Sequence, residues 1–197
     1  MLELRSETSA AWVAACLADF DVFLRDHAAN ERKVAQSALR LVTQHPKRRE
    51  LVAALIDVAV EELEHFRLVY GLLAERGQDL GFEQPDPYIK ELNKALRKRD
   101  VEEFLLDRLL LFGIIEARGC ERFGLIADAF ALRTDDEGRK LSESYRDLQR
   151  SEARHHGLYQ RLARLYFPAE LIAPRVAELL QLEADVLAAQ PLRAALH

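Results

Sequence analysis

The sequence predicts an all-α protein built on four long helices, and three observations support this. Only eight of the 197 residues are glycine and six are proline, whereas leucine, alanine, glutamate and arginine, which favour helices, are abundant. Apolar residues recur at alternating steps of three and four, the period of a helix with one buried face. Prolines and glycines fall between these segments, where helices end. With 49% hydrophobic residues, the chain should form a single domain over residues 1–197.

Apolar periodicity and helix-terminating residues together place the helices. Helix A should stop before Pro46, because the residue preceding a proline avoids the helical conformation. Helix B should end at Gly77, a frequent residue just after a helix. The predicted elements are helix A over 9–44, helix B over 47–76, a connector over 77–100 with a short helix over 88–99, helix C over 101–132, helix D over 138–166, and an extra C-terminal helix over 174–189.

The lengths of the connecting segments predict the topology. Short turns join helix A to helix B and helix C to helix D, so each pair should form an antiparallel hairpin. Residues 77–100, between helices B and C, are numerous enough to run the length of a bundle. One long B–C crossover between two hairpins is the arrangement of a ferritin-like four-helix bundle, which is therefore the predicted fold.

Charge, termini and cysteines exclude several classes of protein. The net charge is -5 with basic residues interspersed, so no general attraction to nucleic acid is expected. The N-terminus lacks the pattern of a signal peptide, and no apolar run is long enough to cross a bilayer. Cys16 and Cys120 are too few for a disulfide framework or a four-cysteine metal site. We expect a cytoplasmic protein without a membrane partner, in which oxygen and nitrogen hold any metal.

Each long helix carries a carboxylate at mid-length in its apolar face. Burying four carboxylates and two imidazoles would cost several kcal/mol per unpaired charge, and no matching set of basic residues shares these faces. One glutamate from each of two helices and Glu-x-x-His from each of the other two is the ligand pattern of di-iron and di-manganese bundles. The predicted metal ligands are Glu31 on helix A, Glu62 and His65 on helix B, Glu116 on helix C, and Glu152 and His155 on helix D.

Several nearby polar residues should lie outside this ligand set. Glu121 follows Glu116 by five residues and is rotated from it by about 140° around the helix. Glu61 and Glu64 should face outward or support the ligands, and His156 should be a neighbour of the site. A helical bundle in which the six residues bind no metal is the alternative.

The mixed carboxylate and imidazole set favours iron or manganese, because zinc more often takes fewer ligands. Iron is preferred, since its redox chemistry would explain so costly a buried site. Gly113, Gly119 and Cys120 place small side chains near Glu116. They could leave space for dioxygen and a substrate, and close helix packing at the glycines is the alternative.

Helices B, C and D carry the segments VEELEHFRLVYGLL, IIEARGCERFGLIA and SEARHHGLYQRLA. Together these resemble the tRNA-(2-methylthio-isopentenyladenosine) hydroxylase family, and the resemblance extends over essentially the whole chain. It implies a non-haem di-iron monooxygenase that uses dioxygen to hydroxylate the isopentenyl side chain of a hypermodified adenosine beside the anticodon of tRNA. Two iron ions would be held by the six ligands, with His65 and His155 each supplying nitrogen to one iron. A separate reductase would be the external electron donor, since no flavin or NAD(P)H motif is recognisable.

An acidic protein that acts on tRNA needs local basic surface. The candidate clusters are Lys47 with Arg48 and Arg49, Lys94 with Arg97, Lys98 and Arg99, and Arg118 with Arg122.

The main alternative function is that of a ferritin-like iron-oxidising or iron-storage protein, which would form a closed shell, whereas a tRNA enzyme should be a monomer or dimer. A rubrerythrin-type peroxidase is disfavoured, because its four-cysteine iron site cannot be built from two cysteines. A manganese catalase and a purely structural helical scaffold remain as further alternatives.

Overall fold

The computed structural model describes residues 3–197, and over this range the chain contains seven α-helices and no strand. The predicted all-α class is confirmed. None of these helices is both long and apolar enough to cross a bilayer. The helices are α1 (Ala10–Ala18), α2 (Phe20–Gln44), α3 (Arg49–Glu75), α4 (Pro87–Lys94), α5 (Val101–Ala131), α6 (Asp136–Tyr166) and α7 (Ala169–Ala189).

The four predicted long helices are present, but helix A is wrong as a single helix. The backbone at Asp19 adopts φ -133° and ψ 62°, which separates α1 from α2. Neither proline nor glycine marks this position, so the sequence pattern gave no reason to place a break there. The other ends of the four long helices agree with the prediction to within two residues.

Two shorter elements also differ from the prediction. The C-terminal helix begins at Ala169, with Pro168 at its N-cap, and Pro174 lies inside it. A proline inside a helix removes one main-chain hydrogen bond, and this loss did not prevent the helix from forming here. The short connector helix stops at Lys94, because the N–H of Arg97 donates instead to Asp107 Oδ2 at 2.8 Å.

Aspartate side chains start three of the helices. Asp86 accepts a hydrogen bond from the N–H of Ile89 at 2.9 Å, which begins α4. Asp100 accepts from two N–H groups in the first turn of α5. Asp135 accepts from the N–H of Gly138 at 2.7 Å, which begins α6. These caps satisfy N–H groups that have no partner within the helix, and they explain where the elements begin.

The chain forms two compact units, and the first, here the α2–α3 unit, comprises residues 14–85 and 192–196. Its two long helices are antiparallel, because Arg76, just after α3, pairs with Asp21 in the first turn of α2. The predicted A–B hairpin is therefore confirmed. Its interior is filled by fully buried apolar side chains, among them Phe23, Leu24, Leu41, Leu51, Leu55 and Leu73.

The second, here the α5–α6 unit, comprises residues 3–13, 86–191 and 197. Ser142 Oγ donates to the carbonyl of Ala127 at 2.9 Å near the turn, and His156 Nδ1 lies 2.6 Å from the carbonyl of Gly113 further along. This order confirms the predicted antiparallel C–D hairpin. Helix α7 packs against α4, α5 and α6, and a cluster across α4, α5 and α7 contains Tyr88, Leu92, Leu96, Leu111 and Val186.

Candidate metal centre

The α2–α3 unit brings three of the six predicted ligands together, and we call this set the first half-site. Carboxylate oxygens of Glu31 and Glu62 and an imidazole nitrogen of His65 all lie within 4.8 Å of one another. His65 Nδ1 is 3.3 Å from Glu62 Oε2 and 3.5 Å from Glu31 Oε2. Both glutamates are buried, whereas the His65 side chain keeps 14% of its surface exposed. The spacing of three residues places Glu62 and His65 on one face of α3.

Hydrogen bonding sets the protonation of the first half-site. Burial raises the pKa of Glu31, but contacts with Glu62, His27 and His65 outweigh it and bring that pKa to about 2. Burial lowers the pKa of His65, but hydrogen bonds to the two carboxylates outweigh it and raise that pKa to about 11. A proton on His65 thus balances part of the carboxylate charge. A divalent cation would displace it, because a coordinating imidazole must be neutral.

His27 belongs to this half-site, although the sequence-based ligand set did not include it. Its side chain is fully buried one turn before Glu31 on α2, and its Nε2 lies 2.6 Å from Glu31 Oε1. The other carboxylate oxygen of Glu31 is the one nearer to His65. A buried imidazole that holds one oxygen of a ligand carboxylate orients the other oxygen toward the metal. The available sequence signal was its position four residues before Glu31 on the same apolar face.

The α5–α6 unit brings the other three predicted ligands together, and we call this set the second half-site. Ligand atoms of Glu116, Glu152 and His155 all lie within 4.8 Å of one another. All three side chains are buried, and His155 Nδ1 is 3.9 Å from Glu116 Oε2. Each unit therefore presents two carboxylates and one imidazole at a single point along its hairpin.

The small side chains near Glu116 serve helix packing. A Cβ at Gly119 would stand 3.3 Å from Glu152 Oε2, so the glycine makes room for that carboxylate. A Cβ at Gly113 would stand 3.5 Å from Tyr159 Cβ on the facing helix. Close packing at the glycines, the alternative in the sequence analysis, is therefore what the structure contains.

Cys120 is the third small residue near Glu116. Burial, with Glu152 and Glu121 nearby, raises the pKa of the Cys120 thiol.

The polar residues near the six ligands are engaged elsewhere or face solvent, which agrees with their exclusion from the ligand set. His156 lies with one ring nitrogen 2.6 Å from a main-chain carbonyl of α5 and the other 2.7 Å from a glutamine amide of α6. Glu121 accepts hydrogen bonds from the main-chain N–H and the hydroxyl of Thr8, each at 2.7 Å. Glu64 is exposed and Glu61 is half-buried.

One predicted tRNA-contacting cluster is wrong, because Arg118 and Arg122 are buried. Arg118 donates to both carboxylate oxygens of Glu183, at 2.9 and 3.0 Å, and this pair joins α5 to α7. The Arg122 guanidinium lies over the Trp12 ring, 4.6 Å from its centroid. Both cations are therefore used inside the α5–α6 unit. In the other two clusters, Lys47, Arg49, Lys94, Lys98 and Arg99 are exposed, and Arg48 and Arg97 are half-buried.

Comparison with known proteins adds three relations to this geometry. A family model described as tRNA-(MS2IO6A)-hydroxylase (MiaE) matches residues 2–197. The chain is 35% identical over 159 residues to the tRNA 2-(methylsulfanyl)-N(6)-isopentenyladenosine(37) hydroxylase of Pseudomonas putida (strain KT2440), which covers 81% of this chain and 74% of that protein. It is 33% identical over 162 residues to the protein of the same name from Salmonella typhimurium (strain LT2). That match covers 82% of this chain and 56% of the Salmonella protein, so the chain spans little more than half of that relative.

A solved structure is similar over almost the whole chain. It is Protein 43 with aldehyde deformylating oxygenase activity from Synechococcus, which is 36% identical, with a TM-score of 0.89 over 98% of this chain and 93% of that chain. The predicted ferritin-like fold class is confirmed by this likeness. The resemblance read from helices B, C and D is confirmed by the family match. Since that match spans nearly every residue, the chain belongs to the tRNA-(MS2IO6A)-hydroxylase (MiaE) family.

Proposed function

We propose that the two half-sites together hold two iron ions, and that this centre hydroxylates the isopentenyl side chain of 2-methylthio-isopentenyladenosine beside the anticodon of tRNA. One observation carries the proposal: each unit presents the same donor set, two carboxylates and one imidazole within 4.8 Å. Family membership supplies the substrate class, since both curated relatives are named for this nucleoside. The proposal requires both units to form the single domain expected from the sequence. The ligands are Glu31, Glu62, His65, Glu116, Glu152 and His155.

The donor chemistry fits a pair of ferrous ions. Four ionised carboxylates carry four negative charges, which equals the positive charge of two divalent cations, and two neutral imidazoles complete the ligand set. The low pKa of Glu31 keeps its carboxylate ionised at neutral pH. Burying four carboxylates without a compensating positive charge has a high free-energy cost. Cations bound at this position would offset that cost.

When bound, a di-iron centre supplies the activation of dioxygen. In the overall reaction one oxygen atom enters a C–H bond of the substrate and the other leaves as water, which consumes two electrons and two protons from outside. A separate reductase would deliver the electrons. The residues of this chain position the ligands: His27 fixes the orientation of Glu31, and Gly119 leaves room for Glu152. The burial of five of the six ligands, all except His65, limits the access of bulk water to the centre.

The test is anaerobic reconstitution with ferrous iron, followed by oxygen, a chemical reductant and tRNA that bears the isopentenyl nucleoside. Mass spectrometry of the digested nucleosides should show the gain of one oxygen atom. Glu116→Ala should abolish this gain and reduce the bound iron, whereas Glu64→Ala, which removes an exposed glutamate of α3, should change neither. Two bound irons without an oxidised nucleoside would refute the substrate, and failure to bind iron at all would refute the centre.

The similarity to the Synechococcus protein favours a second candidate, the oxidative deformylation of an aldehyde. Both reactions would use the same six ligands, so metal content does not separate them. The same reconstituted protein should be supplied with an aldehyde and assayed for formate. Release of formate without oxidation of the nucleoside would favour this second activity over the hydroxylase.

We also propose that the protein works in the cytoplasm as a monomer or dimer, as expected for an enzyme that must admit tRNA. Light scattering on the iron-loaded protein tests this directly. A large closed assembly would favour the iron-oxidising or iron-storage alternative, which would use the same ligands.

A further inference from the structure

A groove of about 760 Å³ lies on the α2–α3 unit. It is lined by residues of α2, by Phe66 of α3, and by residues 80–85 and 193–195. The volume is within the range of about 300–1,000 Å³ that is usual for ligand sites. None of the basic clusters selected from the sequence lines it.

Arg25 contributes a positive charge to the groove and donates hydrogen bonds to neutral acceptors there. Its Nε donates to the main-chain carbonyl of Asp79 at 3.1 Å, and its Nη2 donates to the side-chain oxygen of Gln78, so both acceptors are neutral. Gly81 has a φ of +62°, and a Cβ there would stand 3.4 Å from Arg25 Cδ. The glycine therefore lets the loop lie close against the arginine and fix its position.

The charge around the groove is positive on balance. Glu83 is shared by two cations, Arg32 and Lys33. The Asp26 carboxylate accepts hydrogen bonds from two neutral donors, the Asn30 amide at 3.0 Å and the N–H of Leu196 at 2.7 Å. Among the residues that line the groove, three cations thus face two carboxylates, in a chain whose net charge is -5. Such a local excess attracts phosphate groups. The three cations are Arg25, Arg32 and Arg193.

An aromatic side chain stands open to solvent at the same place. Phe82 is 96% exposed, which is unusual for so large an apolar residue. Many proteins that bind single-stranded nucleic acid use exposed aromatic rings beside arginines, because bases stack on the ring while phosphates pair with the guanidinium groups. An alkyl ligand would use the ring but would not need the cations.

The groove lies beside the first half-site, along the turns of α2 and α3 that carry its ligands. Arg32 directly follows Glu31, and Phe66 directly follows His65, so groove and ligands share the same turns of both helices. The partial exposure of the His65 side chain shows that this half-site is not fully closed to solvent.

We propose that this groove binds the single-stranded anticodon loop of tRNA, with phosphates on Arg25 and Arg32 and a base stacked on Phe82. The identity of the RNA rests on the proposed function. The charge of the groove, its exposed ring and its position beside the first half-site support a binding site independently of that function.

The test is fluorescence anisotropy of a labelled anticodon stem-loop RNA, titrated with the iron-loaded protein. Phe82→Ala should weaken binding by about fivefold or more, the lower end of the loss usual for one stacked base, and Phe82→Tyr should restore it. The affinity for RNA should fall with salt, and in the double variant Arg25→Ala/Arg32→Ala this dependence should be less steep. The slope of log K for binding against log salt should be smaller in magnitude by about 1.4, which is about 0.7 for each lost phosphate contact. The matched control Arg139→Ala/Arg150→Ala removes two exposed arginines of α6 and should leave affinity and slope unchanged.

Binding is measured without turnover, so failure of the groove and failure of the proposed function give different results. Groove variants that bind the RNA like the wild type, while the wild type hydroxylates tRNA, would overturn the groove. Equal losses in the groove and control variants would overturn it as well. Selective loss in the groove variants supports it, even if no nucleoside is oxidised. Because Phe82 is almost fully exposed, Phe82→Ala should keep the wild-type melting temperature and iron content.

Discussion

Gly119→Ala places one methyl group against the second half-site without changing a ligand. The new Cβ would lie 3.3 Å from Glu152 Oε2 and 3.5 Å from its Cδ. The first of these distances is shorter than ordinary van der Waals contact, so the carboxylate must shift by a few tenths of an ångström. A shift of this size matters for a metal ligand, because metal–oxygen distances tolerate deviations of only about 0.2 Å.

Two effects of opposite sign follow from this substitution. Alanine in place of glycine inside a helix stabilises the protein by about 0.5–1 kcal/mol. For a chain of this size that raises the melting temperature of the metal-free protein by about 1–4 °C. Disturbing the orientation of a ligand usually weakens metal binding by about 10- to 100-fold. We therefore expect a protein that is more stable without metal and binds one of its two metal ions more weakly.

The assay combines calorimetry of the metal-free protein with an anaerobic titration of Co(II), a visible probe for the ferrous sites. Gly113→Ala is the matched control on the same helix, because its Cβ would make only ordinary contact, 3.5 Å from Tyr159 Cβ. This control should gain helix stability and keep both metal affinities. If Gly119→Ala binds the second ion as tightly as Gly113→Ala does, the assignment of Glu152 as a ligand constrained by Gly119 is refuted.

Three further substitutions test other contacts. His27→Ala removes the hydrogen bond to Glu31 and should weaken binding of one metal ion by about tenfold or more in the same Co(II) titration. Glu183→Leu leaves Arg118 buried without its main partner, and urea unfolding should show a loss of about 3–5 kcal/mol; a loss below about 1 kcal/mol would contradict a buried ion pair. Burial raises the pKa of Asp107, but arginines of the connector and α7 lower it further. Its stabilisation is present above its unfolded pKa of about 3.9 and is lost as pH falls through the folded pKa. Asp107→Asn should therefore be less stable at neutral pH and less sensitive to acid below about pH 4, as followed by circular dichroism.

Local patterns in the sequence determined the long helices and the two hairpins. Apolar periodicity over some thirty residues is a strong signal, and proline or glycine ended most segments where the prediction placed the ends. The same periodicity placed Glu31, Glu62 and His65 on one buried side, and Glu116, Glu152 and His155 on another. A carboxylate in the middle of an apolar face is conspicuous because its burial needs a compensating charge. Membership of the family was visible in the same segments.

Tertiary structure alone decided the features that depend on residues distant in sequence. Arg118 resembled a surface cation until Glu183, 65 residues away, proved to be its buried partner. The sequence indicated that Gly119 could leave open space near a metal. In the structure the Glu152 carboxylate, from the facing helix, occupies that space. The groove with Phe82 and Arg25 joins α2, the connector and the C-terminal segment, which no helical period relates. The apolar periodicity of a sequence indicates on which face of a helix a residue lies. What that face meets is set by packing between elements, and this determines whether a charge is buried, paired or exposed.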